Sequence, residues 1–425
     1  MLIDATSQTT LGPVYTLTGE DGLDVAADVT LQSTWTDPST HTGADAVIAW
    51  TGTHRITVSG TIIGADEAIN LVGCTTAQTV IVHAGGRLVS GGDGVVADAD
   101  GVILDGAGSL LRNLGSISSH GSAASVIVPD GTTTRITNDG SMEGRVTGLW
   151  HKFGTGSLIF TNNGLVASAG PSFLGGTSTD ILRNNGTMQG DIDLGAGNDR
   201  YSSHAGKVLG RIDGGPGADV FRPGAAVEVL DGGAGRDRLD LSASRTPVIV
   251  NLTDPSQNLG GAVAGDSYAG IENVTGGGGA DLLVGSGAAN RLVGGGKMDS
   301  LQGGAGADVL IGGRGRDDLT GGAGADRFEF HEARHFGDRI ADFTSGRDRI
   351  ALTAASVGLD ETAGPLAAGH FVAGDTALDA DDRFLWQADA SFLWVDFDGN
   401  GAAAPVLLAD LQAGASLTAA DILLL

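Results

Sequence analysis

Residues 276–329 consist of six consecutive nine-residue repeats, each with glycines at its start, a polar residue at position six and an apolar residue at position eight. The sixth positions are Asp281, Asn290, Asp299, Asp308, Asp317 and Asp326. Calcium takes about six to eight oxygen ligands, and a glycine turn supplies backbone carbonyls beside a carboxylate. Each repeat therefore predicts a calcium-binding loop followed by a short strand.

The glycines of these repeats are expected to shape the loops. In the repeat 303–311, Gly303, Gly304 and Gly306 allow positive φ angles, so that the turn directs its carbonyl oxygens inward beside Asp308. The next three residues, 309–311, are predicted to form a strand with Leu310 in the core. The glycines predicted to line the last three calcium loops are Gly304, Gly306, Gly313, Gly315, Gly322 and Gly324.

Two repeats make one coil of 18 residues, so each loop is predicted to lie over the loop two repeats later. One stack then contains Asp281, Asp299 and Asp317, and the other contains Asn290, Asp308 and Asp326. Carboxylates about 4.8 Å apart repel each other unless a cation lies between them. Several calcium ions are therefore expected, and their binding energy is expected to become folding energy.

Two repeats depart from the pattern. The second has Ala288 in place of glycine and Asn290 in place of aspartate, and the third has Lys297 in place of glycine. Weaker or missing ions are expected around 285–290 and 294–299. The strongest sites are predicted around Asp299 with Asp317 and around Asp308 with Asp326.

Related loops occur upstream at wider spacing, in 194–201 (LGAGNDRY), 214–222 (GGPGADVFR) and 232–240 (GGAGRDRLD). Their acids, Asp199, Asp219 and Asp237, are separated by about one coil each and are also predicted to bind calcium. Here only one side of each coil carries a loop. Residues 241–275 interrupt the pattern before the six repeats begin.

The composition restricts the class of protein. The chain has 425 residues with 72 glycines, and 51 acidic against 24 basic residues give a net charge of −27. This balance argues against a nucleic-acid partner. Cys74 is the single cysteine, so no intrachain disulfide is expected. The first residues lack the features of a signal peptide, and no apolar run is long enough for a membrane span.

The nonapeptides resemble the hemolysin-type calcium-binding repeats of RTX proteins. The segments 239–252, 270–277, 338–352 and 392–411 look like those flanking the β-roll of serralysin-type C-terminal domains. The last residues, 421–425 (DILLL), resemble the tail of an uncleaved type I secretion signal. The resemblance implies a parallel β-roll, calcium held by GGxGxD loops, and export by type I secretion machinery.

The N-terminal half carries a longer and looser repeat. Four segments share an Asn-x-Gly pattern, with glycines at Gly115, Gly140, Gly164 and Gly186, and Val, Ile and Thr dominate the sequence around them. A coil of this length predicts a right-handed parallel β-helix. The predicted amide ladder is Asn113, Asn138, Asn162 and Asn184, and the predicted interior row is Ile62, Leu88, Ile117, Met142, Val166 and Met188. The pattern also resembles adhesins and autotransporter passengers.

The predicted fold is therefore all-β, a right-handed parallel β-helix followed by a calcium-binding parallel β-roll and a C-terminal β-rich cap. We expect N-terminal capping strands in 1–44, the β-helix in 45–190, the β-roll in 191–330 and the cap with the secretion signal in 331–425.

Three other groups of residues could carry chemistry. The HEARH segment 331–335 matches a zinc-protease motif, but no third ligand follows and it lies directly after the last repeat. The segment 396–401 (DFDGNG) resembles half of an EF-hand loop, yet Leu407 stands where the bidentate glutamate belongs, so a hairpin with an Asn-Gly turn is the preferred interpretation. His83 with Arg87 and His151 with Lys152 are either small sites or ordinary surface pairs.

The leading functional prediction is a secreted calcium-binding protein that folds after export, with the β-helix as a non-catalytic adhesive or matrix surface and no catalytic residues. Its expected partners are calcium, type I secretion machinery and cell-surface or matrix polysaccharide, and its expected location is extracellular, with surface association. The first alternative is a β-helix enzyme acting on polysaccharide, of the lyase or epimerase type. A zinc protease is the remote alternative.

Overall fold

The computed structural model describes residues 2–11, 13–34, 45–91 and 99–425, so segment 35–44 of the predicted N-terminal cap lies outside the described residues. The chain separates into two compact units, Met1–Asp237 and Arg238–Leu425. Almost all of the regular structure in both units is β-strand, and the only helices among the described residues are short 3-10 turns. The prediction of an all-β protein is confirmed.

The first unit is a solenoid in which the chain passes through three parallel sheets in turn. Strands of successive coils pair in register along each sheet. Sheet 1 contains Leu2–Asp4, Gly22–Val25, Arg55–Val58, Thr79–Val82, Leu110–Asn113, Thr133–Asn138, Ser157–Asn162, Ile181–Asn184, Arg200–Ser203 and Val220–Arg222. Sheet 2 contains Gln8–Leu11, Thr30–Thr34, Thr61–Gly64, Arg87–Ser90, Ser116–Ser119, Ser141–Gly144, Leu165–Ser168, Thr187–Gln189 and Lys207–Val208. Sheet 3 contains Tyr15–Thr16, Val47–Ile48, Ile69–Leu71, Val102–Asp105, Ser122–Ile127, Thr147–Phe153, Phe173–Leu174, Ile192–Asp193, Arg211–Asp213 and Val229–Asp231.

Alternation of apolar and polar residues places one side of every strand inside the solenoid. The predicted interior row is confirmed in sheet 2, where Ile62, Leu88 and Ile117 are register partners and fully buried. The same row continues through Met142, Val166 and Met188. The strands of 2–34 pair with the following coils in the same three sheets.

The predicted amide ladder occupies the corner between sheets 1 and 2. Asn113 Nδ2 donates to Asn138 Oδ1 at 2.8 Å, and the next two steps, through Asn162 to Asn184, are both 2.9 Å. Each of these side chains is fully buried. Because an amide is both donor and acceptor, the ladder satisfies its own buried polar groups from coil to coil.

The second unit has two main sheets. Sheet 4 contains Arg238–Asp240, Asn273–Thr275, Arg291–Gly296, Val309–Arg314, Arg327–Phe330, Arg349–Leu352 and Ile422–Leu424, with Gly364–Pro365 antiparallel to the last of these. Sheet 5 contains Ile249–Asn251, Leu282–Val284, Ser300–Ala305, Asp318–Ala323, Asp338–Ile340, Val406–Leu411, Phe392–Val395, Phe384–Gln387 and Phe371–Ala373. Three short strands complete the set: Pro216–Gly217 pairs with Ala234–Gly235 in the first unit, and Ser267–Ala269 lies in the second.

Successive nonapeptides alternate between sheets 4 and 5, as the 18-residue period predicted. Leu292 pairs with Leu310 in sheet 4, while Leu301 pairs with Leu319 in sheet 5, and all are buried. The strand after Asp308 extends from Val309 to Arg314, longer than the predicted three residues, because it continues into the next glycine turn.

The C-terminal region adds antiparallel strands to sheet 5. Phe392–Val395 and Val406–Leu411 form the predicted hairpin, but residues 396–405 connect them as a long loop in place of an Asn-Gly turn. The 3-10 helices are Pro255–Gln257, Gly261–Val263, Ala333–His335, Ala354–Val357, Ala368–His370 and Ala419–Asp421. Among the described residues no helix is long and apolar enough to cross a membrane.

Candidate metal centre

The sixth-position side chains of the nonapeptides stack at the two turns of the second unit. Asp299 Oδ1 accepts the backbone N–H of Asp281 at 2.8 Å, and Asp317 Oδ1 accepts that of Asp299 at the same distance. On the other side, Asp308 Oδ1 accepts from Asn290 N–H at 2.8 Å, and Asp326 Oδ1 accepts from Asp308 N–H at 3.0 Å. The structure therefore brings together both predicted stacks.

The second carboxylate oxygen of each repeat aspartate has a different environment. Oδ2 of Asp299, Asp308, Asp317 and Asp326 is buried and accepts no hydrogen bond. A buried anionic oxygen without a donor is costly, so each of these four atoms requires a proton or a cation.

Backbone carbonyls lie beside two of these oxygens. A side-chain carbon at Gly294 would lie 2.5 Å from Asp299 Oδ2 and 2.6 Å from the carbonyl oxygen of Gly312, one coil later. At Gly303 the same carbon would overlap Asp308 Oδ2 and lie 2.6 Å from the Gly321 carbonyl oxygen. The first glycines of these two repeats thus leave a space bordered by a carboxylate and a carbonyl, which is the donor set that calcium prefers. At Gly312 the neighbouring oxygens belong to two carboxylates, Asp317 Oδ2 and Asp338 Oδ2.

The remaining loop glycines have the expected backbone conformation. Gly304 and Gly306 have φ of 108° and 118°, and Gly313, Gly315, Gly322 and Gly324 are also positive. Gly303 does not have a positive φ, so the prediction of a positive φ at this position was wrong. Glycine is required at position 303 because Asp308 Oδ2 fills the volume that a side chain would need.

Burial raises the pKa of the ladder carboxyls, and neighbouring aspartates raise it further. The pKa of Asp299 rises to about 7, and those of Asp308 and Asp317 rise to about 6. The hydrogen bond from the preceding coil lowers each value in part. Without a cation, these carboxyls therefore hold protons more tightly than ordinary aspartates do.

The imperfect repeats differ in their contacts. Asn290 Oδ1 accepts from Ser286 N–H at 2.7 Å, and Asn290 Nδ2 donates to the Glu272 carbonyl at 2.8 Å. Asp281 accepts two backbone donors, from Val248 and Gly277, so neither of its oxygens lacks a partner. Lys297 has a positive φ of 76°, a strained conformation for a residue with a Cβ. These contacts favour the expectation that the early loops bind calcium less well.

Two further aspartates continue the stacks, and the repeat spacing did not predict them. Asp338 Oδ1 accepts from Asp317 N–H at 3.0 Å, while its buried Oδ2 has no donor and lies near Gly312 beside Asp317 Oδ2. Burial raises the pKa of Asp338 to about 8. Asp348 accepts from Asp326 N–H at 3.1 Å. The signal for both was an Asp-Arg-Ile triplet, which repeats the order acid, any residue, apolar.

The upstream loops form a similar ladder at the corner between sheets 3 and 1 of the first unit. Asp219 Oδ1 accepts from Asp199 N–H at 2.6 Å, and Asp237 Oδ1 accepts from Asp219 N–H at 2.7 Å. Oδ2 of Asp199 and of Asp219 is buried without a donor. Burial raises the pKa of Asp199 to about 8 and that of Asp219 to about 7. The predicted residues are therefore assembled here as well.

The carboxylate ladder of the first unit begins one coil earlier than predicted, at Asp180 in the segment 175–180 (GGTSTD). Asp180 N–H donates to Asp199 Oδ1 at 2.6 Å. Unlike the later aspartates, Asp180 has a donor for its Oδ2 atom. This atom accepts from His151 Nδ1 at 2.9 Å, and both side chains are fully buried. An imidazole thus supplies the partner that the later carboxylates lack.

The alternative sites are not supported. Residues 333–335 form one 3-10 turn, so HEARH is not an α-helix with two histidines on one face, and His331 Nε2 contacts Glu329 at 3.1 Å. Asp396 and Asp398 accept backbone donors within their own loop. His151 is buried, whereas the Lys152 ammonium lies 5.0 Å from the Trp150 ring on the outer side, so these two residues share no site.

Comparison with known families agrees with the geometry of the second unit. Residues 224–424 match the family model described as Peptidase M10 serralysin C terminal. This supports an RTX-type β-roll, calcium binding and secretion for that region. No curated protein matches the chain.

Proposed function

We propose that this chain is an exported protein whose three carboxylate ladders, two in the second unit and one in the first, bind calcium, and whose three-sheet solenoid is a non-catalytic binding surface. The observation that carries the calcium assignment is the set of buried Oδ2 atoms without donors, which lie beside a backbone carbonyl at Asp219, Asp299 and Asp308 and beside a second carboxylate at Asp317. In the second unit, Asp299, Asp308, Asp317, Asp326 and Asp338 would hold the ions. In the first unit, Asp199 and Asp219 would do so. Calcium would supply the positive charge that these corners lack.

Calcium binding is proposed to be coupled to folding. Without a cation, several carboxylates approach each other in a buried turn. The free energy needed to bury them opposes formation of the coil. Extracellular calcium removes this penalty, while a calcium-poor cytosol leaves it in place. The repeats of the second unit would therefore stay unfolded until type I secretion machinery has exported the chain.

Calcium titration of the full chain tests this proposal. Circular dichroism should show strand signal lost in excess chelator and regained on addition of calcium, with isothermal titration giving several ions per chain. Magnesium at the same concentration should restore less signal, since it demands a smaller octahedral site. An unchanged spectrum and unchanged thermal stability in chelator would reject coupled folding.

The binding role of the first unit is supported by what the outer side of its sheet 1 lacks. In the eight sheet 1 strands from Arg55–Val58 to Val220–Arg222, no residue is His, Lys, Asp or Glu. A polysaccharide lyase needs a base beside the group that neutralises the substrate carboxylate, and these strands offer no His, Lys, Asp or Glu as that base. Incubation of the calcium-loaded chain with acidic polysaccharides should therefore give binding without unsaturated or shortened products.

A further inference from the structure

The outer side of sheet 1 carries a row of arginines in a chain whose net charge is −27. Six of the eight strands between Arg55 and Arg222 present one exposed arginine each. We call this surface the arginine face. Its members are Arg55, Arg112, Arg135, Arg183, Arg200 and Arg222.

Strand pairing fixes the spacing of these side chains. Arg55, Arg135 and Arg200 share one register row, while Arg112, Arg183 and Arg222 share the next outward row. Neighbouring strands lie about 4.8 Å apart, so the face extends over about 34 Å along the solenoid. A continuous strip of this length suits an extended polymer better than a small molecule.

Most of these arginines have no internal counter-charge. Arg112 lies 3.5 Å from the exposed Asp139. Arg55, Arg135, Arg183 and Arg200 form no ion pair with any residue in the described part of the chain. Like charges held on adjacent strands repel, and an external anion would relieve that repulsion.

The charge distribution within the first unit is uneven. In the last of these coils, sheet 3 presents Asp193, Asp213 and Asp231 in one outward register row, with Arg211 paired to Asp213 and Asp231. The positions between the arginines of sheet 1 are occupied by partly exposed hydroxyl and aliphatic residues, including Thr57, Thr137 and Thr161. The arginine face is therefore a local cationic strip with hydroxyls beside it.

We propose that the arginine face binds an extended acidic polysaccharide, with guanidinium groups on its carboxylates or sulfates and threonine hydroxyls on its sugar hydroxyls. Guanidinium groups recognise planar and tetrahedral oxyanions through paired N–H donors. This inference rests on the proposed binding role of the first unit. The outward residues of these strands include no aromatic side chain on which a base could stack, which favours a polysaccharide over single-stranded nucleic acid.

The test compares two triple variants of the full, calcium-loaded chain. R112Q/R135Q/R183Q removes three charges from the arginine face. R87Q/R145Q/K207Q removes three charges from exposed residues outside it, on sheet 2 and its adjoining corner. Circular dichroism and calcium titration of both should equal those of the wild type. The probes are dextran sulfate, polygalacturonate oligomers, neutral dextran and single-stranded DNA.

The wild type should bind at least one of the two acidic polysaccharides and not neutral dextran, with affinity that falls as salt increases. The first variant should lose at least about tenfold in affinity and most of the salt dependence, and the second should lose less than about twofold. Dextran sulfate and polygalacturonate distinguish sulfate from carboxylate recognition.

Three outcomes would overturn the proposal: no binding of either acidic polysaccharide, equal losses in both variants, or tighter binding of single-stranded DNA. Calcium-dependent folding would survive any of these results. Conversely, cleavage of a bound polysaccharide would reject the non-catalytic role while leaving the arginine face as its binding surface.

Discussion

Each ladder aspartate carries two oxygen atoms with different tasks. Asp308 Oδ1 accepts from the preceding coil and fixes the spacing of the turns, while Asp308 Oδ2 remains buried without a donor. Removing the second oxygen without removing the first therefore separates calcium binding from stacking. Asparagine makes this change with little alteration of shape.

Asp308→Asn should lower calcium affinity by about tenfold or more, because one anionic ligand is lost. In chelator the same variant should be at least as stable as the wild type, since a buried carboxylate has been removed. Calorimetric titration and thermal unfolding measure both effects. Asp318→Asn is the control, because Asp318 is exposed beside Arg339. Equal loss of affinity in both variants would contradict the assignment.

The pH dependence of stability should reverse with calcium. An ordinary aspartate has a pKa of about 3.9, whereas the folded pKa is about 7 for Asp299 and about 8 for Asp338. A raised folded pKa means that this stabilisation is fully present below about pH 4 and is lost progressively as the pH rises from there to the folded pKa of about 7–8.

In chelator the chain should therefore unfold at a lower temperature at pH 8 than at pH 5. With saturating calcium the order should invert, because protons and calcium compete for the same oxygens. Asp299→Asn should show a smaller difference in chelator. Parallel pH profiles with and without calcium would show that these carboxyls do not bind the ion.

At the scale of one element, a coil of the second unit is two glycine turns joined by two strands. The turns work only where the backbone can adopt positive φ, which Lys297 does at an energetic cost and Gly306 does freely. The third repeat is therefore the strained one among the six.

Lys297→Gly should stabilise the calcium-loaded chain by about 1 kcal/mol, because a residue with a Cβ pays about 1–2 kcal/mol in the left-handed region. Urea denaturation measures the change. Lys297→Ala is the matched control, since it removes the long side chain but keeps the Cβ. If alanine stabilises as much as glycine, strain at this turn is not the cause.

The sequence was sufficient to predict elements whose spacing is constant. Leu310 and Asp308 were placed correctly because an 18-residue coil leaves no freedom in register. Asp338 and Asp180 were missed because neither ends a G-x-G-x-D loop, and their coils of 21 and 19 residues also depart from the 18-residue period. His151 could not be found, since its contact with Asp180 crosses 29 residues without any repeated motif.

At the scale of the whole molecule, the two units differ in how they satisfy their corners. The coils up to Asn184 have an amide ladder that needs nothing from outside. The second unit depends on carboxylates in five of its six repeats. Calcium should therefore affect the two units unequally.

Hydrogen exchange on the full chain should show this difference. In chelator, amides in residues 276–340 should exchange at least about tenfold faster than with calcium, while those in residues 110–165 should change little. Peptide-level mass spectrometry resolves both regions in one sample. Equal loss of protection in both regions would show that calcium controls the whole chain.

The first unit has an amide ladder at one corner and a carboxylate ladder at another, and together they suggest how such a molecule can be altered one coil at a time. At one corner the Asn138 amide supplies both a donor and an acceptor, so its coil forms without a bound cation. At the other corner the Asp219 carboxylate supplies only acceptors, so its coil depends on cations in the surrounding solution. The two side chains differ by one nitrogen in place of one oxygen. A protein built this way can shift the boundary between its permanent and its environment-sensing parts by single substitutions, with no change of architecture.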